Sequence, residues 1–146
     1  MQIQHFNGAN ISASGMAAER QRMEVIANNI ANAHSTRSAE GGAYRRQLLV
    51  FSPAMNDRGR QESANDFHGV QVLGRVTDHS ELPLVYNPGH PDADPESGLL
   101  AMPNVKLPSE MIDLIMASRS YEANLKALSS FRQMVEQTLR LLRRGG

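Results

Sequence analysis

Apolar residues in the first thirty positions fall on one side of a predicted helix. Met16, Met23 and Ile30 recur every seven residues, and Ile26 lies between the last two. Apolar positions at this spacing are typical of an amphipathic helix that buries one face. The pattern predicts a helix from about Ala9 to Asn32.

The end of this helix is marked by asparagines. Asn28, Asn29 and Asn32 crowd its last turn, and Gly41 and Gly42 follow. Asparagine is a weak former of helix interiors but tolerates turn geometry, and glycine tolerates it more readily still. We therefore expect these five residues to end the helix and turn the chain away from it.

The last third of the chain carries a longer apolar pattern. We expect Ser109 to cap a helix that runs from about Pro108 to Leu142, roughly 50 Å at the usual rise per residue. All but two of its seam positions are apolar or aromatic and follow a heptad: Met111, Leu114, Ser118, Tyr121, Leu125, Leu128, Arg132, Val135, Leu139 and Leu142. The apolar side chains of this seam must be buried against the N-terminal helix, against neighbouring subunits or against both. A helical hairpin that closes its own core is the alternative.

The middle of the chain reads as short strands and loops. Segments 44–51, 69–76 and 82–86 have the composition of strands. Segment 52–66 is polar and lacks periodicity, which predicts a mobile loop. The prolines that follow Tyr86 exclude long regular structure there.

These elements predict a mainly α fold with a small β region. Residues 1–33 would form an N-terminal helix, residues 34–106 a central strand and loop region with an extended connector, and residues 107–146 a long C-terminal helix. The two terminal helices are expected to pack as a coiled coil.

Composition narrows the classes of function. Basic and acidic residues both number 15, so the net charge is zero and bulk electrostatics do not predict binding to nucleic acid. There is no cysteine, which excludes disulfides and thiol catalysis. No apolar stretch reaches the roughly 20 residues of a membrane span, and the N-terminus lacks the pattern of a cleaved secretory signal.

Candidate chemistry is confined to one segment. His90, Asp92 and Asp94 resemble a set of ligands for a divalent ion, but Asp, Asn, Pro and Gly at this density are more typical of successive turns. No nucleophile elbow, phosphate loop or dinucleotide fingerprint is present. The sequence therefore predicts no catalytic residue, no cofactor and no metal. A small metal-binding protein or enzyme at this segment, and a cytoplasmic helical adaptor, are the alternatives to an assembling structural protein.

Several blocks of the sequence resemble the flagellar basal-body rod family. ANNIANAHSTRSAEGGAYRRQLLVF is similar to the N-terminal signature of that family. GVQVLGRV, LVYNPGHPDAD, LLAMPNV and EMIDLIMASRSYEANLKAL follow in the expected order. The resemblance extends from Ile11 to Leu142.

The resemblance implies a structural, non-enzymatic subunit. Such a chain would be exported by the flagellar type III apparatus without a cleaved signal and would assemble in the periplasm into the rod that joins the membrane ring to the hook. Its expected partners are copies of itself, other rod proteins, the export apparatus, and membrane-ring and export-gate proteins at the rod base. Neither nucleic-acid binding nor direct membrane insertion is expected.

Roles for individual residues follow from the same resemblance. The terminal helices would form the inner layer of a helical tube, with subunit packing at Met16, Met23, Ile26, Ile30, Met111, Leu114, Tyr121, Leu125, Leu128, Val135 and Leu139. Contacts between subunits are expected at Arg37, Tyr44, Arg45, Arg46, Asp92 and Asp94.

Overall fold

In the part of the chain that the structure describes, one long helix precedes four strands and another long helix follows them. The computed structural model describes residues 5–39, 41–55 and 67–144. The elements are α1 His5–Ala31, β1 Gln47–Met55, β2 Phe67–Thr77, β3 Leu84–Tyr86, β4 Leu99–Ala101 and α2 Leu107–Arg144. Strand β1 pairs with β2, and β3 pairs antiparallel with β4. The predicted class, two terminal helices around a small β region, is confirmed.

Helix α1 ends within one residue of the predicted position. The backbone N–H of Asn32 still donates to the carbonyl of Asn28, at 3.1 Å. The side-chain amide of Asn32 donates to the same carbonyl at 2.9 Å, so this carbonyl accepts two hydrogen bonds at the end of the helix. The next bond, from Ala33 to the carbonyl of Ile30, has the tighter spacing common at helix ends.

Helix α2 begins earlier than its apolar pattern indicates. It starts at Leu107, so Ser109 lies inside the first turn and the prediction that it caps the helix is wrong. The N–H of Glu110 donates to the carbonyl of Lys106 at 3.0 Å, which places the cap at Lys106. Pro108 is compatible with this start because N–H groups of a first turn have no intrahelical partner.

The strands differ from their predicted limits. Strand β1 continues to Met55, so the prediction of a loop at 52–55 is wrong; the rest of that predicted loop, 56–66, lies outside the described residues. Pro53 is tolerated within β1 because each strand of a two-stranded sheet has one unpaired edge. Strand β4 was not predicted, because its three residues include no β-branched or aromatic side chain, whereas the equally short β3 contains Val85 and Tyr86.

The chain forms two compact units. The first contains Met1–Gln21, Phe51–Leu73 and Ala117–Gly146, and the second contains Arg22–Val50 and Gly74–Met116. Both helices and strands β1 and β2 contribute residues to each unit. Buried apolar residues are few and mostly small, which fits the low aromatic content: Ala18 and Ala117 in the first unit, and Val25, Ile26, Ala33, Ala43 and Leu100 in the second.

Gly69 fixes the contact between α1 and β2 in the first unit. Its φ of 117° is in the region that favours glycine. A Cβ at this position would lie 2.1 Å from the hydroxyl oxygen of Ser14. That oxygen accepts a hydrogen bond from the N–H of Val70 at 3.1 Å, and its own hydrogen is donated to the carbonyl of Ile11 at 2.7 Å. Helix and strand therefore meet too closely for any side chain at residue 69.

We predict that Gly69→Ala destabilises the protein by about 1–3 kcal/mol, because the new methyl group must displace Ser14 and the residue is held at positive φ. Thermal and denaturant unfolding followed by circular dichroism measure the change. Gly89→Ala is the matched control, since a Cβ there would meet only Asn87 Oδ1 at 3.9 Å. Equal stabilities of the two variants would contradict the prediction.

Candidate assembly site

A buried asparagine stands at the centre of the second unit. Asn29, in the last turns of α1, is 1% exposed and uses its whole hydrogen-bonding capacity. Its Nδ2 donates to the carbonyl of Gln47 at 2.9 Å and to Glu110 Oε2 at 3.0 Å. Its Oδ1 accepts from the N–H of Gln47 and from the Tyr44 hydroxyl, both at 2.9 Å. One side chain thus joins α1, the start of β1 and the start of α2.

Glu110 brings a charge into this cluster. It is 0% exposed, and its Oε1 accepts a hydrogen bond from Arg46 Nε at 2.5 Å. Arg46 Nη2 also donates to Asp113 Oδ2, one helical turn further along α2, at 3.2 Å. A buried carboxylate is tolerated only when it is paired and hydrogen-bonded, and both conditions are met. The pair holds the first turn of α2 against the segment that leads into β1.

Asn104 extends the cluster to the end of β2. Its Oδ1 accepts from the N–H of Arg46 at 2.7 Å. Its Nδ2 donates to the carbonyl of Asp78 at 3.1 Å and to Ser80 Oγ at 2.9 Å. The N–H of Asp78 closes the loop by donating to the carbonyl of Arg46 at 2.8 Å. These bonds fix the connector before α2 to the start of β1 and to the end of β2, which lie side by side in this unit.

The polar cluster changes the pKa of Tyr44. Burial raises the pKa of its phenol above the usual 10.0, and the nearby Glu110 carboxylate raises it further, while Arg75 opposes them. The neutral phenol is therefore the form that the fold stabilises. Because the members of the cluster bond to one another, the arrangement serves to fix geometry, as a satisfied buried network does.

A second contact joins the chain after α1 to the turn-rich segment. Thr36 Oγ1 donates to Asp92 Oδ2 at 2.9 Å, and Arg37 Nη2 donates to Asp92 Oδ1. The hydrogen bond from Thr36, together with that from Arg37, lowers the pKa of Asp92 below its usual value. The N–H of Asp92 donates to His90 Nδ1 at 3.1 Å. Asp94 bonds instead to Ser97 Oγ at 2.6 Å.

Asp92 and Asp94, two of the candidate metal ligands in the turn-rich segment, therefore bond to different partners. Asp92 faces Thr36 and Arg37, whereas Asp94 caps its own turn. Within residues 5–39, 41–55 and 67–144, no group of three His, Asp or Glu side chains is placed to hold a metal ion. The observed bonds match the interpretation of this segment as successive turns.

In the first unit, α1 and α2 approach closely at glycines. A Cβ at Gly15 would lie 2.9 Å from Asn124 Nδ2, and one at Gly8 would lie 3.8 Å from the Phe131 ring. The two contacts are seven residues apart on each helix, and the residue number rises on α1 as it falls on α2. The helices are therefore antiparallel in this unit, at a separation that glycine permits.

The shielded face of α2 follows a heptad of its own. It contains Glu110, Leu114, Ala117, Tyr121, Asn124, Leu128 and Phe131. Leu114, Tyr121 and Leu128 also belong to the heptad identified by hydrophobicity. The two heptads differ at the positions between these residues. The hydrophobic pattern selects Met111 and Leu125, whereas the shielded positions are their polar neighbours, the buried Glu110 and the half-buried Asn124.

The predicted packing residues therefore divide between shielded and exposed positions. On α1, Ile26 is buried and Met16, Met23 and Ile30 are half-buried. On α2, the exposed members are Met111, Leu125, Val135 and Leu139. Their assignment to subunit packing stays a prediction.

The residues predicted for the helix end and for subunit contacts are mostly engaged within the chain. Asn29 is central to the cluster, while Asn28 is exposed. Gly41 and Gly42 have φ of 89° and 74° in a turn closed by the bond from Ser38 to the Gly42 carbonyl. Arg45 Nη1 donates to the Ser80 carbonyl at 3.0 Å. The sequence analysis did not identify Glu110, Asn104 or Asp113 as members of this cluster. For Glu110, the available signal was a second polar residue, Asn124, two heptads further along the same helix.

Comparison with known proteins adds the family. Residues 10–37 match the family described as "Flagella basal body rod protein", and residues 96–141 match the family described as "Flagellar basal body rod FlgEFG protein C-terminal". The two matches cover most of α1 and of α2. They define the class as rod proteins of the bacterial flagellar basal body.

Full-length relatives narrow the class. Flagellar basal-body rod protein FlgC of Borreliella burgdorferi is 38% identical over 94% of this chain and 97% of its own length. The proteins of the same name from Bacillus subtilis and Aquifex aeolicus are 37% and 40% identical, over 93% and 91% of this chain and 97% and 93% of their own lengths. The chain belongs to the FlgC family of flagellar basal-body rod proteins. None of the helices in the described residues has the length and apolar character needed to cross a membrane.

We predict that Asn29→Ala destabilises the protein by about 2–4 kcal/mol, because four hydrogen bonds are lost and Glu110 keeps a buried oxygen without its donor. Denaturant unfolding of the purified protein measures the loss. Asn28→Ala is the matched control, since this neighbour is exposed, and it should change stability by less than about 0.5 kcal/mol. Similar losses for both variants would show that the cluster is not what stabilises this unit.

We predict that Tyr44 contributes stability that is present below pH 10.0 and is lost as pH rises through its higher folded pKa. The sign follows because the folded protein favours the neutral phenol. Unfolding of wild type and Tyr44→Phe should differ by about 1 kcal/mol near neutral pH, and the difference should shrink in strong alkali. Tyr86→Phe, at an exposed ring, is the control. A difference between wild type and Tyr44→Phe that grows above pH 10.0 would refute the assignment.

Proposed function

We propose that this protein is a non-enzymatic structural subunit of the proximal rod of the flagellar basal body. In this role it assembles through its terminal helices into the shaft that transmits torque from the motor to the hook and filament. Membership of the FlgC family supports the proposal, since relatives that match nearly the whole chain are named as rod proteins.

The observation that carries the proposal is an apolar stripe on α2. Met111, Ile112, Ile115 and Met116 are each between 55% and 59% exposed and occupy adjacent positions on two turns. A single chain rarely leaves four large apolar side chains together in water unless another surface covers them. Full burial of such a side chain is worth about 1.5–3 kcal/mol, and roughly half of that remains to be gained at each of these half-exposed positions. The stripe thus provides a driving force for assembly that the isolated chain does not use.

Pairing of α1 with α2 as a coiled coil is part of the proposal. The first unit has the pairs Gly8 with Phe131 and Gly15 with Asn124, and the second has Asn29 with Glu110. Between the two pairs of the first unit, the residue numbers advance by one heptad on α1 and fall by one heptad on α2. Contact between the two helices within each unit supports the inner layer proposed for residues 1–33 and 107–146. Residues 34–106 would form the part of the subunit outside that layer.

The proposed rod role also implies which proteins the subunit contacts and where in the cell it is found. The subunit would contact copies of itself, other rod proteins, and membrane-ring and export-gate proteins at the rod base. It would reach the periplasm through the flagellar type III export apparatus without a cleaved signal. The family relationship supports the basal-body location.

The proposal is tested by charging the apolar stripe. Ile112→Asp combined with Ile115→Asp should leave the isolated chain folded, because both side chains are exposed. The same pair should remove the chain from basal bodies purified in detergent and salt, and should abolish swimming. Each buried aspartate in an interface core costs several kcal/mol, which is enough to prevent assembly.

Ser129→Asp combined with Ser130→Asp is the control, since it adds the same charge to exposed polar positions of the same helix. Circular dichroism of each purified variant separates misfolding from failed assembly. Normal swimming by the Ile112 and Ile115 variant would overturn the role of the stripe. Absence of the wild-type chain from purified basal bodies, with the protein in the cytoplasm, would instead favour a cytoplasmic adaptor.

A further inference from the structure

The β3–β4 hairpin has an apolar outer face. Val85 pairs with Leu100; Leu100 is 4% exposed and Val85 is 49% exposed, so the face that carries this pair is the more shielded face of the hairpin. Side chains alternate along a strand, and the outer face therefore carries Leu84, Tyr86, Leu99 and Ala101. Leu84 and Tyr86 are 62% and 71% exposed. The solvent face of an antiparallel sheet is usually polar, so this face is built for contact.

One end of this outer face has an acidic rim. The loop that joins β3 to β4 is closed by bonds from Asn87 to the Gly98 carbonyl and from Asp94 to the Leu99 carbonyl. Asp94 and Glu96 are exposed in that loop, and the N–H of Asp94 donates to the carbonyl of Leu99, the strand partner of Tyr86. Hydrogen bonds from Ser97 and from the Glu96 N–H lower the pKa of Asp94, so its carboxylate stays charged. The hairpin thus presents leucine and tyrosine beside two negative charges.

The last turns of α2 have the opposite character. Leu139, Leu141 and Leu142 are 56%, 70% and 70% exposed. Arg140 and Arg143 alternate with these leucines and are also exposed. The tip of α2, residues 139–143, therefore presents leucines beside two positive charges. Its apolar part and its charges both complement the hairpin.

We propose that the tip of α2 of one copy docks on the outer face of the β3–β4 hairpin of a second copy, an inference that rests on the rod function proposed above. Leucines of the tip cover Leu84 and Tyr86, while Arg140 and Arg143 face Asp94 and Glu96. The apolar contact supplies affinity, and the charges guide approach and orientation.

The geometry of this contact explains how assembly continues. The two patches differ, so a pair of copies leaves one tip and one hairpin unused. Contacts of this head-to-tail kind propagate into rings or helical filaments. A contact between identical patches would stop at a dimer.

The absence of native cysteine makes the contact directly testable. Full-length chains carrying Tyr86→Cys and Leu142→Cys, with tags of different size, are mixed during assembly and oxidised. We expect a disulfide-linked pair that contains both tags. Leu73→Cys, at an exposed apolar position of β2, is paired with Leu142→Cys as the control and should give at least tenfold less product. Equal yields from both mixtures, or no product from either, would overturn the proposal.

A charge exchange tests the orientation. Arg140→Glu combined with Arg143→Glu should weaken self-association of the full chain about tenfold at low salt, measured by sedimentation. Adding Glu96→Arg to the same chain should recover part of the loss, since one of the two acidic positions on the hairpin is then basic while Asp94 keeps its bond to Ser97. Arg119→Glu combined with Arg132→Glu makes the same charge change elsewhere on α2 and should weaken association less. Loss without recovery, or equal loss in the control, would refute the contact.

Basal bodies separate this inference from the proposed function. If the wild-type chain is absent from purified basal bodies, the rod role itself fails, and the docking contact fails with it. If the chain is present but the cysteine pair does not cross-link there, the rod role stands and the tip binds another rod protein instead. Cross-linking in basal bodies between two tagged copies supports both.

Discussion

The hydrogen bond between Asn29 and Glu110 is the interaction on which the second unit depends. It joins α1 to α2 across eighty-one positions of sequence, and each of its two residues bonds to further members of the polar cluster. Asn29 holds the start of β1 through Gln47, and Glu110 holds Arg46. A purely apolar contact at this point would allow the helices to slide, whereas bonds with fixed partners admit one register. The cluster therefore specifies geometry where the small apolar core cannot.

The same constraint accounts for the surface that the chain leaves open. Since Glu110, Ala117 and Asn124 lie on the shielded face of α2, the large apolar residues beside them are directed outward. In an ordinary monomer, Met111 or Leu125 would occupy the seam and the polar residues would face water. This arrangement, with polar residues on the shielded face and large apolar residues on the exposed face, is what a subunit needs if its apolar surface is to be buried on assembly. Family membership and the physics of α2 thus support the same proposal from independent directions.

Sequence patterns revealed the helices and the family but not the polar cluster. Both helices were predicted nearly in full because apolar periodicity over 27 and 38 residues outweighs local exceptions. Strand β4 was missed because its residues, two leucines and an alanine, lack the β-branched and aromatic side chains that favour strands. Asn29 was interpreted as a residue that ends the helix, and nothing local distinguishes a capping asparagine from a buried one. Its role depends on Gln47 and Glu110, which are distant in sequence, so only the folded chain reveals it.

Helix α2 also has a mechanical property. After Pro108 it contains neither glycine nor proline through Arg144, and both residues are common causes of kinks. A continuous helix of this kind resists bending and twisting through its whole ladder of backbone hydrogen bonds. Load applied at one end is then carried elastically, with little lost to local yielding. Under load, a helix of this kind deforms gradually along its length instead of folding at one point.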